Sequence, residues 1–243
     1  MKDPYVYNGT NILINNFDIK DEKQLDEIEA NFIEISAIFL KQSEFHIFSI
    51  FDGLKIHKIL FEAVYSWAGQ IRTIDIYKSE PILEGKSIDY VLSSYIKTAL
   101  EELDNEFKST DWNNLSAEEK IEKVCYFVSE FWHIHPFREG NSRTTAMFMY
   151  LLMKTVGLHI NYDFLVRNGK YFRNALVLSS LYSSSQPEYL LGIVADATTM
   201  KKINTNKYQA IDGKEVEKYA YTHHTLNRLE TIKKPKDWQT NKK

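Results

Sequence analysis

The chain reads as an all-α domain carrying one short β-hairpin. Three observations predict this. Apolar residues recur at helical spacing along most of the chain, as in Leu25, Ile28, Phe32, Ile35 and Phe39. The run from Ala146 to Val156 is apolar almost all round, as expected of a central, buried helix. Few segments alternate with period two, and Thr73 to Glu84, with Ile74, Ile76 and Tyr77 before Lys78-Ser79-Glu80-Pro81, is the one that reads as a short hairpin.

The elements follow in order. Residues 3–19 form an extended arm with turns. Asp21 to Gln42 is the first helix. Asp52 caps a second helix, along which Ile56, Ile59, Leu60, Val64 and Trp67 recur before Ala68-Gly69 ends it. After the hairpin, Ser87 to Phe107 is amphipathic, with Ile88, Val91, Leu92, Tyr95, Ile96 and Leu103 on one face. Ser116-Ala117-Glu118-Glu119 fits a capping box and opens a helix through Val124, Val128 and Trp132. The central helix closes at Gly157, and Asn168 to Tyr182 and Pro187 to Ala197 are two more. Residues 1–200 therefore make the domain, arm included. Residues 201–243 make an extension: irregular from Asn204 to Gly213, helical from Lys214 to Glu230, then a tail with five lysines and one acid in its last twelve residues. Such a tail is disordered or meets an anionic partner.

Composition excludes several classes. A net charge of −3 argues against non-specific nucleic-acid binding. One cysteine, Cys125, rules out an internal disulfide framework, and its place on an apolar helix face makes it a core residue. The polar N-terminus lacks a secretory apolar segment, and no run approaches a membrane span. The expected compartment is cytoplasmic, with delivery into a host cell by a secretion system that reads other signals left open.

The chemistry concentrates between the fourth and fifth predicted helices, in His133-Ile134-His135-Pro136-Phe137-Arg138-Glu139-Gly140-Asn141-Ser142-Arg143. Pro136 ends the preceding helix, Gly140-Asn141 permits a tight positive-φ turn, and Ser142 or Asn141 caps the next helix. A turn of this kind aims unpaired backbone N–H groups at one spot, which binds phosphate with the help of the helix dipole. Arg143 adds a cation for a phosphate oxygen. Glu139 supplies an oxygen ligand for a divalent ion such as Mg²⁺, which prefers substrate phosphates to an all-protein cage. His135 takes a proton from an attacking hydroxyl. These are the parts of phosphoryl or nucleotidyl transfer. His133 packs or orients a neighbour, Phe137 anchors the loop and Arg138 points to solvent or a target. His223-His224 cannot share a helix face as a metal pair.

The run resembles the signature of the Fic family, His-x-Phe-x-(Asp/Glu)-Gly-Asn-Gly-Arg, matched at His135, Pro136, Phe137, Glu139, Gly140, Asn141 and Arg143. Ser142 replaces the usual second glycine, and the frequent second arginine is Ala146. His57, Leu60-Phe61 and Trp67-Ala68-Gly69-x-x-Arg72 resemble a second family pattern. The resemblance implies a Fic-type helical bundle whose hairpin, the flap, lies over the active site and docks a target protein, with Lys78-Ser79 a partial match to the family's Lys-Gly there. It implies transfer of AMP from ATP to a Tyr, Thr or Ser hydroxyl of the target, with Mg²⁺. In that scheme His135 is the base, Glu139 holds the metal, and Gly140, Asn141, Ser142, Arg143, Lys78 and Ser79 contact nucleotide. Serine at 142 lacks the bulk and charge of the lysine that related Doc kinases carry there. The family's inhibitory pattern, (Ser/Thr)-x-x-x-Glu-(Gly/Asn), does not occur in the chain, which leaves open an antitoxin acting in trans through another docking pair, or a donor that depends less on a terminal phosphate contact. Rival readings are another nucleotide or a diphosphate-linked donor, a non-catalytic nucleotide-binding module, and a metal hydrolase using His133, His135 and Glu139.

Overall fold

The structure, a computed structural model, describes residues 3–181 and 185–199. The predicted extension, with the Lys214–Glu230 helix, His223-His224 and the lysine-rich tail, lies outside the described residues. Among the described residues eight α-helices run in order: α1 Glu22–Gln42, α2 Asp52–Phe61, α3 Ile96–Ser109, α4 Ala117–Ile134, α5 Asn141–Thr155, α6 Tyr162–Arg167, α7 Gly169–Ser179 and α8 Glu188–Thr199. The described residues contain no helix long and apolar enough to cross a membrane.

α5 is the axis of the bundle. Met147, Phe148, Met149, Leu151, Leu152 and Met153 are all inaccessible to solvent. α2 and α4 pack against it, α1 covers α2, and α3, α7 and α8 cover α4. Burying so apolar a helix on all sides removes its surface from water, the largest favourable term in such a core. The predicted capping box forms in full: Ser116 Oγ accepts the Glu119 amide and Glu119 accepts the Ser116 amide. Cys125 is buried, as expected.

Several expectations are corrected. Among the described residues the only β pairing is an isolated antiparallel bridge between Val6 and Leu13, so the hairpin is not a ladder. Residues 74–92 do run out and back, but a Pro81–Leu83 3₁₀ turn and two backbone bonds, Glu80 N–H to the Lys86 carbonyl and Gly85 N–H to the Glu80 carbonyl, both at 3.0 Å, close them. Pro81 has no N–H to donate, and Glu84 and Gly85 turn the chain with positive φ, at 55° and 86°. The helix expected from Ser87 begins at the Ser93–Tyr95 3₁₀ turn, because 87–92 stay extended against the site. α2 stops at Phe61, and the chain turns through 62–69 before Gly69.

α1 is rotated from its predicted stripe. Leu25, Glu29, Ala37 and Leu40 face inward, whereas Ile35 and Phe39 are 63% and 62% exposed. The inward set includes Glu29, which is 6% exposed and pairs with Arg143 of α5. α6 lies outside the predicted helices; Asn161 Oδ1 caps it by accepting the Phe164 amide.

Candidate active site

α4 ends at His135, whose φ of 51° is left-handed. A side chain there costs roughly 1–2 kcal/mol, so neighbours must hold it. Arg72, only 2% exposed, does this. Its Nε donates to the His135 carbonyl at 2.8 Å and its backbone amide to the Pro136 carbonyl at 2.8 Å. Its terminal nitrogens donate to the carbonyls of Ile74, at 2.6 Å, and Val91. One guanidinium thus ties the loop to the out-and-back segment 74–91.

The rest of the loop is pinned from below. Phe137 is inaccessible and stacks on His57 with ring centroids 3.7 Å apart. His57 Nδ1 accepts the Gly69 amide at 2.8 Å, so Nε2 carries the proton and donates to the Glu139 carbonyl at 3.1 Å. Burial lowers the His57 pKa to about 3, leaving the ring neutral. The Asn141 side chain closes the loop on itself: Oδ1 accepts the Phe137 amide at 3.1 Å and Nδ2 donates to the Phe137 carbonyl at 2.8 Å. Gly140 has φ 83°, and a Cβ there would lie 2.4 Å from the Phe61 ring.

His135 is inaccessible. Its Nδ1 lies 3.0 Å from the Trp132 carbonyl, which can only accept, so Nδ1 is protonated and Nε2 holds the lone pair. Nε2 has no hydrogen-bond partner. Burial drives the imidazole pKa well below its usual value, with the charges of Lys78, Arg72 and Arg173 adding to the effect. The Tyr90 ring covers it, centroid to centroid 4.0 Å, and Tyr90 Oη donates to Glu80 Oε1 at 3.0 Å. The proposed base is therefore formed, neutral and capped by a residue of the flap segment.

Glu139 faces Lys78, whose Nζ is 3.1 Å from Oε2, while Oε1 accepts the Gly140 amide at 3.0 Å. Burial pushes this carboxyl up, but Lys78, the Gly140 amide and Arg143 overcome it and bring it to about 2. The helix cap is Gly140, not Asn141 or Ser142 as expected, and no side chain caps α5. Its first-turn amides keep the anion-seeking character of an open helix N-terminus. Ser142 Oγ instead accepts the Trp132 indole N–H at 3.0 Å. Arg143 pairs with Glu29 of α1, lies 3.8 Å from Glu139 and stacks its guanidinium 5.0 Å from the Phe61 centroid. Ser79 is placed elsewhere: it is exposed, and its hydroxyl donates to the Gly85 carbonyl at 3.0 Å within its own turn. Arg138 pairs with Asp3 at 2.8 Å.

The loop therefore gathers His135, Glu139, Gly140, Asn141, Ser142, Arg143 and Lys78 in one place. A family model for the Fic/DOC family matches residues 47–153. A probable protein adenylyltransferase of Sinorhizobium fredii, y4lH, is 30% identical over 181 residues, which span 74% of this chain and 88% of that protein. The chain belongs to the Fic/DOC family. Protein adenylyltransferase VbhT of Bartonella schoenbuchensis is 30% identical over 205 residues, 81% of this chain, although this chain spans only 41% of VbhT. The Fic domain of Bep8 from Bartonella sp. 1-1C superposes with TM-score 0.68 at 23% identity, over 82% of this chain and 96% of that one. BepC of Bartonella tribocorum, solved with bound AMPPNP, gives TM-score 0.66 at 25% identity, over 82% and 97%. The helical fold is thus the Fic fold.

Within it, the fit to Mg²⁺ rests on Glu139, one partly exposed carboxylate beside open amides, which suits an ion that takes its remaining ligands from phosphate and water. The hydrolase reading loses its ligand set. His133 Nε2 bonds the Asp89 carbonyl at 2.9 Å, and no group of three or more metal-binding side chains occurs among the described residues. Sequence reasoning did not find Glu29, Glu80, Tyr90 or Arg173. They are remote in the chain, and none has a local pattern; Arg72 alone carried a signal, at the end of Trp67-Ala68-Gly69.

Proposed function

We propose that the chain is a protein adenylyltransferase that moves AMP from ATP to a hydroxyl of a target protein. One observation carries the reading: an unpartnered, neutral His135 Nε2 stands on the same loop as Glu139, the open first turn of α5 and Arg143. Relatives named protein adenylyltransferase support it, as does the AMPPNP bound in BepC.

Nε2 takes the proton of a target Tyr, Thr or Ser hydroxyl as its oxygen bonds to the α-phosphorus of ATP. The bond from that phosphorus to the bridging oxygen breaks, and pyrophosphate leaves. Amides of the first turn of α5 stabilise the charge growing on the α-phosphate, as preorganised donors do. Arg143 holds the departing phosphates. Glu139 would hold Mg²⁺, which supplies charge neutralisation across the phosphates when bound. Tyr90 must move off His135 for the hydroxyl to reach Nε2.

The target docks beside the flap segment. An open cleft of about 430 Å³ runs along Ile74–Lys78 and is also lined by the Asp3–Arg138 pair, and the backbone of 75–80 forms no ladder that would exclude an added strand. An antitoxin acting in trans is the regulator this reading expects, and delivery into a host cell matches the translocated effectors Bep8 and BepC. Incubation with labelled ATP, Mg²⁺ and lysate should label discrete proteins. Intact mass should show an added AMP rather than another donor's group. Equal labelling by His135→Ala would defeat the proposal.

A further inference from the structure

We propose that Arg173 of α7 is a second cation, beside Arg143, for the departing phosphates of ATP, held in place by buried Glu80. The inference rests on the nucleotide reading above. Arg173 lies far from the loop in sequence, yet its Nη1 is 3.5 Å from Ser142 Oγ, in the first turn of α5. Its Nη2 is 2.7 Å from Glu80 Oε1, and the Arg173 side chain is 34% exposed while that of Glu80 is wholly inaccessible. A guanidinium has five N–H donors. Glu80 takes one, and the contact to Ser142 is at the outer limit of a hydrogen bond, so most remain for an anion.

The placement is specific. Successive helix residues project about 100° apart, so Ser142 and Arg143 face different sides of one turn. Arg143 is drawn toward Glu29 and Phe61, and Arg173 approaches from the Ser142 side. α5 offers no other cation near this turn: Ala146, one turn on, is 7% exposed and uncharged. Two guanidiniums thus flank the same uncapped amides, one from α5 and one from α7.

Glu80 explains why Arg173 is aimed rather than free. The carboxylate also accepts the Tyr90 hydroxyl at 3.0 Å, and its Oε2 is buried without a partner. Burying such a charge is costly unless it is paired, so Arg173 cannot leave Glu80 cheaply. A long, mobile side chain is thereby restricted to positions over the α5 N-terminus, which lowers the entropy lost on gripping a phosphate.

The bland reading is that Arg173 only neutralises Glu80. The test separates them with the double variant Glu80→Gln/Arg173→Ala, which leaves no unpaired buried charge and should fold. Binding of a non-hydrolysable ATP analogue and of AMP is measured by calorimetry, for wild type, Glu80→Gln and the double variant. The expected result is a loss of ATP-analogue affinity of about 10-fold or more on removing Arg173, as for one charge-assisted hydrogen bond, with AMP affinity changed far less. Equal losses for both ligands, or none, would overturn the proposal while leaving the nucleotide reading intact. Wild type that binds neither ligand would overturn both.

Discussion

Lys78 and Glu139 meet across the site, with Nζ 3.1 Å from Oε2, though 61 residues separate them. The ammonium of the flap segment stands where the metal role of Glu139 would place a cation. It also helps a half-buried carboxylate stay ionised. Replacing Lys78 with Met should raise the Glu139 pKa from about 2 toward or above its ordinary 4.5, since burial is then less opposed. A carbon-detected NMR titration of the Glu139 carboxyl would read this; an unchanged midpoint would show that Gly140 and Arg143 suffice.

Tyr90 is the cover of the proposed base. Its ring lies over His135 and its hydroxyl is latched to Glu80. Carbethoxylation of His135 should be slow in wild type, faster in Tyr90→Phe, which loses the latch, and fastest in Tyr90→Ala. The same rate in wild type and Tyr90→Ala would mean that something else buries the imidazole.

Gly140 permits the turn on two counts. Its φ of 83° disfavours any Cβ, and an added Cβ would press on Phe61 at 2.4 Å. Gly140→Ala should cost about 2–4 kcal/mol of stability, from left-handed strain plus overpacking, as read by urea unfolding. Ala at Gly157, where φ is also positive but no atom lies within 4 Å, should cost less.

Acid should unfold the domain from the histidines first. Burial lowers His57 to about 3, lowers His133, and takes His135 well below its ordinary value of 6.5. Each is neutral in the folded chain but protonated in the unfolded chain below pH 6.5. Their contribution to stability is therefore full above pH 6.5 and falls as pH drops below it, for His57 down to about 3. The slope is up to about 1.4 kcal/mol per pH unit for each group. Glu139 adds to this lower down, its share present above 4.5 and lost as pH falls through about 2. Thermal midpoints from pH 7.5 to 4 should decline in wild type and decline less steeply in His57→Phe. Parallel declines would remove His57 as a cause.

The amino-acid sequence by itself determined the helical class, the buried axis along Ala146–Val156, the capping box at Ser116 and the loop from His135 to Arg143. Those features are local: periodicity, a cap or a tight turn is written within a few residues of where it acts. Tertiary structure decided which stripe of α1 is buried, that the flap segment closes by a 3₁₀ turn rather than a ladder, and which distant groups complete the site. Glu29 from α1, Arg72, Glu80 and Tyr90 from the run 72–92, and Arg173 from α7 converge on the loop. Their partnerships depend on buried charge finding its opposite across the packed bundle, a condition that no window of sequence contains.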